Sequence, residues 1–136
     1  MNENIVIDSF ALVSLFHKEA GWKKIKQVLY ELSTSKRKAL LNIVNWGEFY
    51  YITKRRVGKS KAEEALTLLE QLPVKVISVD DKLVKEAAEI KADYPLSYAD
   101  AFCVATAQRS KGTIITNDPE FKLVQHVVPV IWLSDK

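Results

Sequence analysis

The segment Ile5-Val6-Ile7-Asp8-Ser9-Phe10-Ala11-Leu12 gives the clearest indication of the fold class. Its three consecutive apolar residues predict a short strand that is buried on both faces. The acid that follows can cap a helix beginning near Ser9. A buried strand that passes directly into a helix is typical of α/β proteins, in which the two kinds of element alternate.

The rest of the chain repeats this pattern. Apolar runs predict further strands at residues 40–44, 74–79, 113–116 and 128–132, and apolar residues at helical spacing separate them. We therefore expect a single α/β domain over residues 1–136, with a mostly parallel sheet. The predicted helices cover residues 9–17, 22–32, 46–56, 61–72, 82–92 and 98–109.

The composition restricts the class of protein. The 136 residues fit one domain, and a composition of 48% hydrophobic and 27% charged residues predicts a folded chain. No apolar run approaches the roughly 18 residues of a membrane span, and the N-terminus lacks the features of a signal peptide. The single Cys103 excludes an internal disulfide and fits a reducing cytoplasm, where we expect the protein to act. The net charge of +3 is compatible with an anionic partner but too small to indicate one.

Four acids, Asp8, Glu48, Asp100 and Asp118, follow predicted strands or lie in the first turns of predicted helices. In a right-handed parallel sheet, all four of these places lie at the carboxyl edge. Clustered carboxylates repel one another unless a cation neutralises them, and oxygen ligands suit Mg²⁺ or Mn²⁺. The acids therefore predict a divalent-metal site and phosphodiester chemistry.

Each acid also has a purely structural interpretation as part of a helix cap. Asp80 and Asp81 meet the same local criterion, and we interpret them as caps because the third strand is expected at the sheet edge. The corresponding cap interpretations are Asp8 before Ser9, Asn45 with Glu48, Ser97 with Asp100, and Asp118 before Pro119.

Four motifs around these acids resemble those of PIN-domain proteins, specifically the ribonuclease toxins of VapC type. The motifs occur in the family's order and together span nearly the whole chain. They are Ile5-Val6-Ile7-Asp8-Ser9, Asn45-Trp46-Gly47-Glu48, Ala99-Asp100-Ala101 and Thr116-Asn117-Asp118-Pro119-Glu120-Phe121.

The resemblance implies a three-layer α/β/α fold with a five-stranded parallel sheet. It implies Mg²⁺- or Mn²⁺-dependent cleavage of RNA, a cognate antitoxin that inserts a segment into the acidic groove, and a homodimer. By the same resemblance, Asp8, Glu48, Asp100 and Asp118 are the metal-binding and catalytic acids. The supporting polar residues are Ser9, Asn45, Thr116 and Asn117.

Two further interpretations concern partners and function. The basic residues Lys54, Arg55 and Arg56 are candidates for guiding an RNA backbone, although a solvated helix end explains them more simply. A PIN nuclease that processes RNA without an antitoxin is one alternative function. A receiver-like domain regulated by phosphorylation is another, and its phosphoacceptor would have to be Asp80 or Asp81.

Overall fold

The computed structural model describes residues 3–134, and its centre is a parallel five-stranded sheet in the order β3-β2-β1-β4-β5. Ile7 of β1 lies opposite Ile115 of β4, and Thr116 of β4 lies opposite Trp132 of β5. The two central strands therefore end at the same level, which places the residues that follow them side by side. The strands are β1 (Asn4–Ile7), β2 (Ala39–Asn42), β3 (Val74–Ile77), β4 (Gly112–Thr116) and β5 (Val130–Trp132).

Helices cover both faces of the sheet, which confirms the expected three-layer α/β/α fold. Strand residues alternate between the two cores: Ile7 and Ile115 face one, whereas Val6 and Ile114 face the other. The first core is closed by α1 (Ser9–His17), α2 (Trp22–Thr34), α3 (Ile43–Val57) and α4 (Lys59–Glu70). The second is closed by α5 (Asp81–Asp93), α6 (Tyr98–Ser110) and a 3-10 helix (Pro119–Leu123).

The start of α3 differs from the prediction. The β-branched residues Ile43 and Val44 suggested a strand over 40–44, but β2 ends at Asn42, whose side-chain oxygen accepts a hydrogen bond from the backbone N–H of Val44 at 2.8 Å. Asn42 is thus the N-cap of α3, and the cap predicted at Asn45 is wrong. Glu48 consequently lies in the second turn of the helix rather than the first.

Helices α5 and α6 run antiparallel. Arg109, near the end of α6, contacts Asp80 before α5 and Glu86 in it, at 3.1–3.3 Å. The beginning of α5 therefore lies away from Asp100, which is in the first turn of α6. Asp80 caps α5 by accepting a hydrogen bond from the N–H of Leu83 at 2.7 Å, as predicted. Within residues 3–134, no helix is both long and apolar enough to cross a membrane.

Candidate metal centre

Three of the four predicted acids meet at the carboxyl edge of the sheet. Asp8 follows β1, Asp118 follows β4, and Asp100 enters from the first turn of α6. One carboxylate oxygen from each lies within 4.8 Å of those of the other two, and the residues are at most 7% exposed. The sheet register and the start of α6 thus bring together residues that span 110 positions of sequence.

Asp8 is fixed by two hydrogen bonds. Its Oδ1 accepts from the N–H of Ala11 at 2.9 Å, and its Oδ2 accepts from the hydroxyl of Thr116 at 2.6 Å. Thr116 Oγ1 in turn accepts from the N–H of Asp118 at 2.9 Å, so this threonine links two of the acids. Burial raises the pKa of Asp8 to about 7 although both hydrogen bonds lower it, and the charges of Asp118 and Glu48 raise it further.

Asp100 is the most perturbed acid of the cluster. Burial, followed by hydrogen bonds to Glu120 and Asp118, raises its pKa to about 10, and its Oδ2 is buried without a donor. The hydrogen bond with Asp100 is also the main cause that lowers the pKa of Glu120. Burial and the neighbouring acids thus disfavour the ionised form of Asp100, and a cation bound at the cluster would favour it.

Glu48 lies at the rim of the cluster. It is half-buried, outside the group of three, and its Oε1 accepts a hydrogen bond from the hydroxyl of Ser9. Ser9 itself is fully buried at the start of α1. This contact joins the α3 acid to the residue that follows Asp8, so Glu48 stands next to the cluster without being packed into it.

The two asparagines differ in their surroundings. Asn45 is buried and donates from Nδ2 to the carbonyl of Ala99 at 3.1 Å, while its Oδ1 has no donor. Asn117 is half-buried, and its Oδ1 accepts from the hydroxyl of Ser134 at 2.8 Å. Asn45 thus ties α3 to the residue before Asp100, whereas Asn117 anchors the segment after β5.

Glu120 is a member of the site that the sequence interpretation did not select. Its Oε1 accepts from the backbone N–H of Ser97 at 3.0 Å, which brings it to the start of α6 and into contact with Asp100. The signal lay in the fourth motif, because a 3-10 turn opened by Pro119 carries the residue two after Asp118 back over the cluster.

The cluster fits a hard divalent cation. Its side-chain donors are all oxygens, the pKa values of two acids are raised, and the carboxylate oxygen Oδ2 of Asp100 is buried without a partner. Oxygen ligands of this kind are those that Mg²⁺ and Mn²⁺ take in proteins. Asp8, Asp100 and Asp118 are therefore the residues placed to hold such an ion.

The basic residues Lys54, Arg55 and Arg56 lie in the last turn of α3 and are exposed. Arg56 forms an ion pair with Glu19 at 2.6 Å, and the Arg55 guanidinium lies 5.0 Å from the centre of the Tyr51 ring. Positive charge is favourable at a helix C-terminus, so the fold itself explains the position of these three basic residues.

Comparison with known proteins identifies the family. The PIN-domain profile matches residues 5–127, and the chain belongs to the PIN-domain family. The resemblance expected from the four motifs is therefore confirmed. No curated protein matches the sequence.

Several solved structures share this fold. VapBC2 from Rickettsia felis, bound to a promoter DNA fragment, is 13% identical with a TM-score of 0.75, covering 94% of this chain and 97% of its own. A toxin–antitoxin complex from Klebsiella pneumoniae is 20% identical with a TM-score of 0.71, covering 98% and 100%. VapC20 from Mycobacterium tuberculosis, described as a sarcin-ricin loop cleaving toxin, is 22% identical with a TM-score of 0.71, covering 88% and 93%.

The sheet also bears on the receiver-like alternative. A flavodoxin-like receiver has the strand order 2-1-3-4-5, whereas this sheet has the order 3-2-1-4-5. Asp80 and Asp81, the acids that a receiver would need as phosphoacceptors, precede or open α5 and are outside the cluster. The arrangement therefore favours the PIN-type site over a phosphorylated receiver.

Proposed function

We propose that this protein is a metal-dependent endoribonuclease that hydrolyses RNA phosphodiester bonds, and that it is the toxin of a toxin–antitoxin pair. The observation that carries the proposal is the buried cluster of Asp8, Asp100 and Asp118 at the carboxyl edge of a PIN-domain sheet. A buried cluster of carboxylates is destabilising in itself, and a bound cation would offset that cost.

The residues divide into metal-holding and orienting groups. Asp8, Asp100 and Asp118 hold Mg²⁺ or Mn²⁺, which when bound lowers the pKa of water and relieves charge on a phosphate. Glu48, held by Ser9 at the rim, orients the attacking water or holds a second cation. Thr116 keeps Asp8 in place through its 2.6 Å hydrogen bond.

The remaining polar groups act as supports. Asn45 donates a hydrogen bond to the carbonyl of Ala99 and so fixes α3 against the start of α6, which carries Asp100. Asn117 and Ser134 hold the two segments that follow β4 and β5. Such groups keep the charged side chains within the narrow geometry that phosphoryl chemistry requires.

The test is cleavage of total cellular RNA by the purified protein with Mg²⁺, with Mn²⁺ or with chelator, followed by mapping of the cut ends. We expect metal-dependent cuts, and we expect Asp8→Asn to lower the rate by about 100-fold or more while the fold is kept. Asp81→Asn, an exposed acid at the other end of the α5–α6 pair, is the matched control and should cleave like the wild type. Full activity in Asp8→Asn would refute the assignment, as would the absence of any metal-dependent cut.

The proposed partners are an antitoxin and a second copy of this chain. Support for the antitoxin comes from the similar structures, two of which are a VapBC assembly and a toxin–antitoxin complex. An apolar groove of about 610 Å³ is available to such a protein, lined by Leu15, Phe16, Leu29, Tyr30, Leu68 and Leu72 among others. Co-expression with the product of an adjacent small gene, followed by light scattering of the purified protein, tests both partners. An active nuclease with no inhibitory neighbour would instead favour RNA processing.

A further inference from the structure

A half-buried tryptophan surrounded by lysines stands at the beginning of α2. The ammonium groups of Lys18, Lys23 and Lys26 lie 5.6, 5.8 and 5.9 Å from the centre of a Trp22 ring. Among the described residues, none of these lysines is paired with a carboxylate, and the neighbouring Glu19 is bound to Arg56. We call Trp22 and these three lysines the Trp22 patch.

The helix dipole explains only one charge of the Trp22 patch, because Lys18 is the C-cap of α1 whereas Lys23 and Lys26 lie near the start of α2. Lys23 lies in the first turn of α2, where the helix dipole already provides positive charge and where no acid is present. Lys54, Arg55 and Arg56 show the opposite case, because they lie at a helix C-terminus that favours them. The Trp22 patch therefore brings together positive charges that destabilise one another and suit an anionic ligand.

The Trp22 patch is connected to the acidic cluster through β5. Lys24, next to the patch, donates to the carbonyl of Trp132 at 2.8 Å, and Trp132 lies opposite Thr116, which holds Asp8. A Cβ added to Gly21, which lies between Lys18 and Trp22, would be 2.6 Å from that of Leu133, whose N–H donates to the Thr116 carbonyl at 3.0 Å. These contacts place the patch beside the carboxyl end of β5, at the end of the sheet where the acids lie, and β5 is two strand spacings, about 10 Å, from β1.

We propose that the Trp22 patch binds the single-stranded RNA segment that flanks the scissile phosphate. A base stacks on the indole of Trp22, and the ammonium groups of Lys18, Lys23 and Lys26 contact the adjacent phosphates. Bases and phosphates alternate along a single strand, and an aromatic ring among cations matches both. An acidic protein segment would use the charges but would leave the ring without a specific role. The inference rests on the proposed nuclease function and adds a substrate subsite to it.

The test measures binding in the Asp8→Asn background, in which the RNA stays intact, by anisotropy of a fluorescein-labelled mixed-sequence single-stranded RNA at several salt concentrations. We expect Lys23→Gln with Lys26→Gln to weaken binding about tenfold, and to reduce the log–log salt slope by about 0.7 per lysine. Trp22→Leu should weaken binding about 5- to 100-fold with the salt slope unchanged, and Trp22→Phe, which keeps a ring, should retain most of the affinity. Thermal melts verify that each variant is folded.

The matched control is Lys82→Gln with Lys85→Gln, which removes the same charge from exposed positions of α5. Binding by the patch variants that equals binding by this control would overturn the proposal. Polyglutamate, a polyanion without bases, serves as a second ligand. The proposal would also be overturned if the lysine substitutions weakened the binding of RNA and of polyglutamate equally while Trp22→Leu had no effect, because that result indicates a general anion surface. If the wild type cleaves RNA with metal but the substitutions in the patch leave RNA binding unchanged, only the subsite is overturned. Patch-dependent RNA binding without cleavage by the wild type overturns only the nuclease.

Discussion

Asp8 is a helix cap and a member of the acidic cluster at the same time. One carboxylate oxygen accepts from the N–H of Ala11, and the other accepts from Thr116 within the cluster. Asp118 has the same double role, because its Oδ1 caps the 3-10 helix through the N–H of Glu120 at 3.0 Å. The cap and metal interpretations of these residues are therefore compatible, since capping fixes the side chain that a cation would need.

Local sequence could not separate these two roles, and it did not select Glu120. The cap criterion depends on two or three neighbouring residues, which is why Asp80 satisfied it as well as Asp8 did. Membership of the cluster depends on where each helix begins in space. Glu120 reaches Asp100 only because the 3-10 turn folds back towards Ser97, a contact across 23 residues.

We predict that Asp100→Asn separates stability from metal binding. The pKa of Asp100 is raised to about 10, so the metal-free protein carries this side chain protonated near pH 7, and an amide is close to the protonated acid in shape. The free energy of unfolding in chelator should change by less than about 1 kcal/mol or increase. The rise in Tm that saturating Mn²⁺ gives to the wild type should be largely lost.

Asp93→Asn is the control for this prediction, because Asp93 is an exposed acid at the end of α5. Its Tm should respond to Mn²⁺ as the wild type does. A wild-type response in Asp100→Asn would show that the ion binds elsewhere.

Among the elements, short continuous apolar runs predicted the five strands of residues 3–134, and apolar residues at helical spacing predicted the six α-helices, because both patterns depend only on neighbouring residues. The ends were predicted less well. The β-branched Ile43 and Val44 prolong the apparent strand, whereas Asn42 ends it by capping α3 and by bonding Thr106 on α6. The second of these contacts joins residues 64 positions apart, which no local pattern shows.

Asn42 should therefore be important for the junction between β2 and α3. Asn42→Ala removes the partly buried cap and the buried 2.9 Å hydrogen bond from Nδ2 to the Thr106 hydroxyl. We expect the free energy of unfolding, measured by urea denaturation, to fall by about 2 kcal/mol. Thr106→Val with the double variant completes a cycle, and a coupling energy near zero would contradict the inferred contact.

At the scale of the whole molecule, the fold separates two tasks. The α1–α4 layer and the α5–α6 layer bury the two faces of the sheet. The acids lie together at the carboxyl ends of the strands and in the first turn of α6, and neither layer could bring them together alone. The two buried cores thus provide the stability that offsets the repulsion among the carboxylates at one edge of the sheet. This arrangement predicts that the stability of the whole domain depends on pH and on cations in a particular direction.

The pKa of Asp8 is about 7 in the folded protein against 3.8 for the free group, so between these values the folded state binds more protons than the unfolded state. The free energy of unfolding in chelator should therefore fall as pH rises from about 4 to 7, by up to about 1.4 kcal/mol per pH unit for this group. Asp100 has the same sign and extends the decrease towards pH 10, whereas the lowered pKa of Glu120 acts in the opposite direction at acidic pH. A bound cation favours the ionised acids, so the stabilisation by Mg²⁺ or Mn²⁺ should grow over the same range.

Urea unfolding between about pH 5 and 8, with and without metal, measures both trends, and the double variant Asp8→Asn with Asp100→Asn should show neither. Metal-free stability that rises with pH in the wild type would mean that the cluster is not charged as inferred.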